Sequence, residues 1–452
     1  IAGAKSSSVY PSRVRLYWDA SGELSKSVRR TSPEDYTLPV SDKEGVVYGQ
    51  SVSRNEFSGS RWVIPSPDGS RLAVYRKDES GVSLYPIYDI RSRTGEAKMI
   101  RYPMAGMTSE KLGICICDKS GNILSELQVT DYDNERYLTN PTWSPDGKYI
   151  FVQVLDRAQH RMRLNMYRSS DGSFVRTVLS ERNNDWIEPL DPLYFIKDSY
   201  EFIYRTDNRD GYRSLYLCDT LGKVKRLTKC NADVAYVAND GKYVYYTSAE
   251  VSPVENHLFR LKLKDSFGLN RPQRLTPETG WHQISMSPDC SRFIDRYSSL
   301  NVPGVTQVRD SNGNLLQRVS TSPDPLDIYA QCQVELGTVK SADAQTDNYY
   351  RLFYPRDYDP SKKYPLIVYV YGGPHSQMVT NSWLGNVRMW EMLMAQKGYF
   401  VYVQDNRGTQ NRGAAFEKAI NRGCGKAESA DQMAGINSLL ERFPSIDRSR
   451  IG

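Results

Sequence analysis

The chain has 452 residues, more than one hydrophobic core normally organises, so at least two domains are expected. Charged residues make up 25% and the formal net charge is only +6, with Lys and Arg spread along the chain instead of gathered into a basic stripe, which sets nucleic-acid binding aside. No stretch approaches the run of about 20 apolar residues that a membrane helix needs, and no signal peptide with a basic start and apolar stretch is present at Ile1, so the compartment stays open.

From about residue 60 to about 320 one phrase recurs: an apolar strand, a turn built on Pro-Asp-Gly or a relative, and a second apolar strand. It runs from Trp62 to Tyr75 around Ser66-Pro67-Asp68-Gly69 and from Trp143 to Val152 around Ser144-Pro145-Asp146-Gly147. Weaker copies run from Tyr194 to Tyr204, from Tyr236 to Tyr246 around Asn239-Asp240-Gly241, and from Ile284 to Ile294 around Ser287-Pro288-Asp289. Asp-Gly and Pro-Asp supply the backbone angles that tight hairpins need, so each copy predicts a hairpin. Further strands follow, as in Ser214 to Asp219 leading to Arg226-Leu227-Thr228, and His257 to Lys262 leading to Arg274-Leu275-Thr276. Four strands returning at intervals of roughly 40 to 50 residues mark propeller blades. The wider gap between the first two copies predicts a long or decorated blade. A β-sandwich leaves the repeated Ser-Pro-Asp-Gly unexplained. Of the aromatics, 32 are Tyr against 12 Phe, and strand-like alternations such as Tyr243-Val244-Tyr245-Tyr246 fit a large all-β region. The seven cysteines cannot all pair; Cys115 and Cys117 lack a His or second Cys pair for a zinc site, which leaves buried thiols or one or two unassignable disulfides.

The pattern changes after about residue 330. Tyr349 to Phe353 and Pro365 to Tyr371 read as strands, the second with the continuous apolar run of a strand buried on both faces. Met389 to Lys397 has helical spacing, Tyr399 to Val403 is another buried strand, and Ala427 to Phe443 is a second helix. Strand and helix in alternation predict a doubly wound sheet. The fold class expected is therefore an all-β propeller domain over residues 1–325, followed by the N-terminal part of an α/β-hydrolase domain over residues 326–452.

The words at this second domain are distinctive. Lys362-Lys363-Tyr364-Pro365-Leu366-Ile367-Val368-Tyr369-Val370-Tyr371-Gly372-Gly373-Pro374 resembles the opening of the catalytic domain in the prolyl oligopeptidase clan. Asp405-Asn406-Arg407-Gly408, Arg412-Gly413, Phe416-Glu417 and Asp431-Gln432 resemble the next stretch in the dipeptidyl peptidase IV branch. The resemblance implies a serine exopeptidase that releases amino-terminal dipeptides with Pro or Ala second, needs no cofactor or metal, and acts as a homodimer that is periplasmic, secreted or membrane-associated. Its partners would be peptides with a free amino terminus.

Acyl transfer needs donors aimed at the developing oxyanion, one presented after an early strand of such sheets. On spacing alone Tyr371 is a packing aromatic; the resemblance makes its hydroxyl an oxyanion donor. The sequence contains no Gly-x-Ser-x-Gly turn. Ser445 to Gly452 resembles the family's lead into the strand that ends at the nucleophile, so Ser, acid and His are expected beyond Gly452, and His160, His257, His282 and His375 are expected in surface or structural roles.

A peptide amino terminus, with a pKa of about 8, is largely cationic near neutral pH and can be held by a fixed carboxylate. Glu56, in Tyr48-Gly49-Gln50-Ser51-Val52-Ser53-Arg54-Asn55-Glu56-Phe57, resembles the glutamate motif of the bacterial enzymes, although Ser53 and Ser58 depart from it and Asn55 stands where animal members have a second Glu. The 55 residues before Glu56 predict an incomplete early propeller. Arg13 is a weak match to the arginine that steadies the substrate carbonyl, and Trp186, Glu188 and Pro189 are candidates for the pocket border. Two competing readings are an acylaminoacyl peptidase or oligopeptidase of the same clan, which has no use for Glu56, and a non-catalytic propeller scaffold.

Overall fold

The computed structural model describes residues 36–53, 57, 62–132, 135–197, 199–264, 271–329, 332–385 and 389–452, with the backbone pairing of two short strands, β1 (Tyr17–Trp18) and β2 (Leu24–Ser25). Five antiparallel sheets follow in chain order. The first contains β3 (Val46–Tyr48), β4 (Val63–Pro65), β5 (Arg71–Asp78), β8 (Lys111–Asp118) and β9 (Ile123–Glu126); β3 and β4 share one edge of β5. A separate hairpin, β6 (Leu84–Tyr88) and β7 (Ala97–Arg101), leaves this sheet between β5 and β8, which is the decoration that the wide repeat spacing predicts.

Four four-stranded meanders come next: β10 (Arg136–Trp143) to β13 (Phe174–Arg182) through β11 (Tyr149–Asp156) and β12 (Arg161–Arg168); β14 (Tyr194–Phe195), β15 (Phe202–Thr206), β16 (Ser214–Cys218) and β17 (Val224–Arg226); β18 (Val234–Asn239), β19 (Tyr243–Ser248), β20 (His257–Lys262) and β21 (Gln273–Arg274); and β22 (Trp281–Met286), β23 (Arg292–Ser299), β24 (Val302–Asp310) and β25 (Leu315–Thr321). Each predicted hairpin is present. Among the described residues the sheets do not close into a ring.

The turns show why the repeated words matter. The Ser66 hydroxyl donates to Asp68 Oδ1 (2.6 Å) and accepts from the Arg71 amide (3.0 Å), while Asp68 accepts from the Ser70 amide and Gly69 takes φ +66°. Ser144 and Asp146 repeat these bonds at 2.7 and 3.0 Å with Gly147 at φ +68°. In the last copy, Ser287-Pro288-Asp289, Cys290 occupies the left-handed position at φ +57°.

Sheets stack through side chains that alternate along each strand. On β15, Phe202 and Tyr204 pack toward the β10–β13 sheet with Phe151 and Leu164, whereas Ile203 packs toward the β18–β21 sheet with Val244 and Tyr246. All seven cysteines are unpaired thiols; six are buried or half-buried, and burial pushes Cys115 and Cys218 up to about 12.

The C-terminal sheet has the order β26-β27-β29-β28-β30, built from β26 (Val334–Lys340), β27 (Asp347–Phe353), β28 (Tyr364–Tyr369), β29 (Phe400–Gln404) and β30 (Ile446–Ile451). The helices are α1 (Met389–Gln396), a four-residue α2 (Ala414–Glu417) and α3 (Lys426–Arg442). Three strands run parallel, but β26 and β27 are antiparallel additions, so the sheet is mixed and not purely doubly wound. The segment expected to lead into a strand, Ser445 to Gly452, contains strand β30 itself. Its core is aromatic, with Phe400 flanked by Tyr354, Tyr358, Tyr364 and Phe443.

The long connection after β28 is fastened to this sheet from below. Asp405, just past β29, accepts the amides of Met378 (2.8 Å) and Val379 (2.9 Å) on its two oxygens. Burial pushes its carboxyl up to about 7, against the pull of those two amides and of Arg351. Arg351, on β27, donates to the carbonyls of Thr380 (2.6 Å) and Leu384 (3.2 Å). Removing the Asp405 carboxylate strands both amides: Asp405→Ala in the full-length protein is expected to lose about 1–3 kcal/mol for each buried donor left unpaired. Asp405→Asn keeps one carbonyl acceptor and should lose less. Urea unfolding of both variants checks this order.

Candidate active site

Tyr371 stands two residues beyond the end of β28 on this connection, with its side chain 63% exposed. Two glycines set the course of the chain behind it. Gly372 takes φ +70° and its carbonyl accepts from Asn406 Nδ2 (3.3 Å). At Gly373 a Cβ would come within 2.9 Å of the Tyr371 ring, so only glycine lets the ring lie where it does. Asn406 is itself buried and held by Gln432, whose side-chain amide donates to it (2.9 Å). Arg407 pairs with Asp431 through Nη2 (2.8 Å) and Nε (3.0 Å); Asp431, fully buried on α3, also accepts the Ala342 and Arg407 amides. These two residues of the sequence motif are therefore structural, tying the loop after β29 to α3.

His375 ends the glycine turn with a left-handed backbone, φ +59°, fixed by its amide bond to Gly408 O (3.2 Å). Its ring reaches the β14–β17 sheet. Nδ1 meets Glu417 Oε1 at the end of α2, and Nε2 lies 3.4 Å from Oε2 of Glu188 in the β13–β14 connection. Arg213, just before β16, completes the group: Nη2 is 2.8 Å from Glu417 Oε1 and 3.6 Å from Glu188 Oε2. Asp233 accepts the Arg213 amide (2.9 Å) and the Gly413 amide (3.2 Å). Lys418 pairs with Asp207 (3.0 Å) and lies over the Trp186 ring, which is edge-on to His375 at 6.3 Å.

The electrostatics follow from burial and pairing. The Glu417 contact, with help from Glu188, holds His375 above its ordinary value against burial. Burial opposes ionisation of Glu417, yet the His375 hydrogen bond and the Arg213 charge keep its carboxyl low. Burial raises Glu188 and Asp233. Glu188, His375 and Glu417 bring three ligand-type atoms within 4.8 Å of one another. The Arg213 guanidinium already stands beside both carboxylates, so the cation at this spot is the protein's own.

Of the residues singled out in the sequence, the structure brings Trp186 and Glu188 to His375, four residues from Tyr371. Glu56 and Arg13 lie outside the described residues. Phe57, which follows Glu56, is buried edge-on against Tyr137 in the apolar cluster that contains Ile187. His257 and His282 are fully buried and paired with Glu255 and Asp295 between the last two meanders, the structural role expected of them. A cavity of about 510 Å³ lined by Trp281, Tyr297 and Trp383 lies on the last meander's side of the connection and does not include Tyr371. The grouping of Arg213, His375 and Glu417 has no signature in the sequence: Arg213 and Glu417 are 204 positions apart, and no local pattern announces a pair at that distance.

Comparison with known proteins places this arrangement. Residues 29–304 match the family model described as the dipeptidyl peptidase IV N-terminal region, and residues 386–452 match the prolyl oligopeptidase family. Human dipeptidyl peptidase 8 is 25% identical over 88% of this chain and 53% of its own length. A crystal structure from Bacteroides ovatus described as a dipeptidyl aminopeptidase IV superposes with a TM-score of 0.85 at 35% identity, covering 97% of this chain and 64% of that one. Porphyromonas gingivalis dipeptidyl peptidase 4 superposes at 0.81 with 26% identity, covering 90% and 58%. The chain spans about half the length of the curated relatives it matches. With its matched N-terminal region covering most of the sequence, and the glycine turn and buried Arg407–Asp431 pair at the start of the second domain, the chain belongs to the dipeptidyl peptidase IV family of serine peptidases.

Proposed function

We propose that this chain forms the propeller and the oxyanion side of an enzyme that releases amino-terminal dipeptides, with Pro or Ala second, from peptides. The observation that carries the reading is the position of Tyr371: exposed, directly after a parallel strand, on a connection anchored by Asp405 and Arg351. In this reading residues 1–325 are the propeller and 326–452 the start of the hydrolase domain, and the stacked meanders are its blades. The serine, acid and histidine come from chain that follows Gly452 in the full-length enzyme. Glu56 holds the substrate ammonium, and no cofactor takes part. The relatives' names support the dipeptidyl activity. A periplasmic, secreted or membrane-associated address suits such an enzyme; among the described residues no helix is long and apolar enough to cross a membrane.

A homodimer belongs to the same proposal. The β6–β7 hairpin is apolar on both faces, exposing Leu84, Tyr88 and Met99 on one and Tyr85 and Ile87 on the other, and a second copy would cover it. Sedimentation of the full-length enzyme is expected to give a dimer, and Ile87→Glu a monomer.

Two substitutions test the chemistry. Tyr371→Phe in the full-length enzyme is expected to lower kcat by about 10² to 10³ with little change in KM, the usual loss for one oxyanion donor. An unimpaired kcat would return Tyr371 to the packing aromatics. Glu56→Gln is expected to lower kcat/KM for a free-amine Xaa-Pro amide by roughly 10- to 100-fold, since a charge-assisted hydrogen bond contributes about 1.5–3 kcal/mol. The N-acetylated substrate, poor already, should lose almost nothing further; equal losses on both would make Glu56 structural.

A further inference from the structure

Glu188, Arg213, His375 and Glu417 form a closed ring of alternating charge, and the ring is divided evenly between two parts of the chain. The β14–β17 region supplies one anion and one cation, Glu188 and Arg213. The C-terminal domain supplies the other two, His375 and Glu417. Each cation touches both anions: His375 meets Glu417 and, at 3.4 Å, Glu188, while Arg213 lies 2.8 Å from Glu417 and 3.6 Å from Glu188. We infer that this ring is a protonation-operated latch between the two domains, with His375 as the positioning residue that holds the connection bearing Tyr371 against the β14–β17 sheet.

The two ring nitrogens of His375 make the ring sensitive to protonation. Both face carboxylate oxygens, so both must carry hydrogen for both pairings to attract. A neutral imidazole has one bare nitrogen, and its lone pair would then face a carboxylate lone pair. The Glu417 pairing is the tighter, so Nδ1 keeps its hydrogen and Nε2 gives one up. Nε2 is the nitrogen that faces Glu188, so deprotonation breaks the His375 pairing that crosses between the domains. Nothing else among the described residues takes its place: Glu188 Oε2 is buried with no hydrogen-bond partner and is held only by its ion pairs to His375 and, at 3.6 Å, Arg213. The other charges around the ring are committed elsewhere, Asp233 to the Arg213 and Gly413 amides and Lys418 to Asp207. The backbone of His375 adds a second observation. A left-handed non-glycine residue persists only where its surroundings hold it, and here it is held by its amide bond to Gly408 and by the two carboxylates at its ring.

The direction of the pH effect follows. The folded protein holds His375 above its ordinary value, so the latch is complete below the unfolded value of about 6.5 and loosens as pH rises through the folded one, when Arg213–Glu417 is left as the ring's tight pair across the domains. The consequence for Tyr371 rests on the oxyanion reading proposed above; the latch itself does not.

Trp186, edge-on to His375, supplies a direct probe, because a protonated imidazole quenches a neighbouring indole. In the full-length enzyme, tryptophan fluorescence followed from pH 5 to pH 10, with the Trp186→Phe enzyme as the blank for the other tryptophans, is expected to titrate with a midpoint above about 6.5. The titration should vanish in His375→Gln and move to lower pH in Glu188→Gln, which keeps the shape of the side chain and removes one facing charge. A midpoint at or below about 6.5, a titration that survives His375→Gln, or one that Glu188→Gln leaves in place would each overturn the latch. In activity, His375→Gln should lower kcat about tenfold at pH 6, short of the ~10²-fold that a 1 Å misplacement of a reacting group costs, and should flatten the alkaline decline that wild type shows at the fluorescence midpoint. A Tyr371→Phe enzyme with full kcat but an intact fluorescence titration would sink the oxyanion reading and leave the latch standing, so the two fail separately.

Discussion

A four-stranded antiparallel sheet with apolar side chains on both faces cannot bury itself, and that constraint organises most of this molecule. On β11, Ile150, Val152 and Val154 turn toward the first sheet while Phe151 and Leu155 turn toward the third. On β19, Val244 and Tyr246 turn back toward β14–β17 while Tyr245 turns forward toward β22–β25. Every meander with a neighbour on each side is therefore buried from both, and its stability is shared with sheets that follow and precede it in sequence. The polar remainder of each unit, its turns and the ends of its strands, is driven to the rims of the stack.

Those rims are where the C-terminal domain meets the sheets, and around a small apolar contact of Val254 with Val379 and Val403 the contacts there are polar. Gln377 donates to Pro253 O, Asn381 donates to Glu255, and the Gly413 amide reaches Asp233. Together with the Asp405 and Arg351 bonds from beneath, they over-determine a stretch that its Gly-Gly-Pro sequence would otherwise leave free. A polar junction of this kind specifies one geometry without demanding a large apolar face, because a misplaced charge or amide costs more than a misplaced methyl group. It also means that a change of protonation acts on the relation between the domains before it acts on either core.

How much of this is legible in the sequence depends on distance along the chain. The hairpins at Ser66 to Arg71 and Ser144 to Tyr149 can be read because proline, aspartate and glycine all fall within one turn. The β26–β27 hairpin uses the same bonds, Ser341 Oγ to Asp343 (2.6 Å) and the Thr346 amide to Ser341 (3.1 Å), but with Ala344 at φ +58° in place of glycine and no proline, so nothing in the sequence announces β26. The hydroxyl and the carboxylate carry the turn; glycine only relieves it. Tyr371 stands out through its motif and its strand. The charge ring is out of reach, since it needs the fold to bring residue 213 to residue 417, and a lone histidine after Gly-Gly-Pro reads as an ordinary surface residue until its partners are known.

The unpaired thiols have a consequence of their own. Oxidants and alkylating agents attack the thiolate, and a thiol held near 12 is ionised at neutral pH to only about one part in 10⁵. Cys115 and Cys218 are thus shielded twice, by the sheets stacked over them and by the scarcity of their reactive form. Cys424, exposed beside α3, has no such cover. Reagent captured at Cys115 or Cys218 would mark a molecule whose sheets had parted, so the buried thiols serve as a built-in record of transient opening in the stack, and label at Cys424 alone marks a molecule that stayed closed.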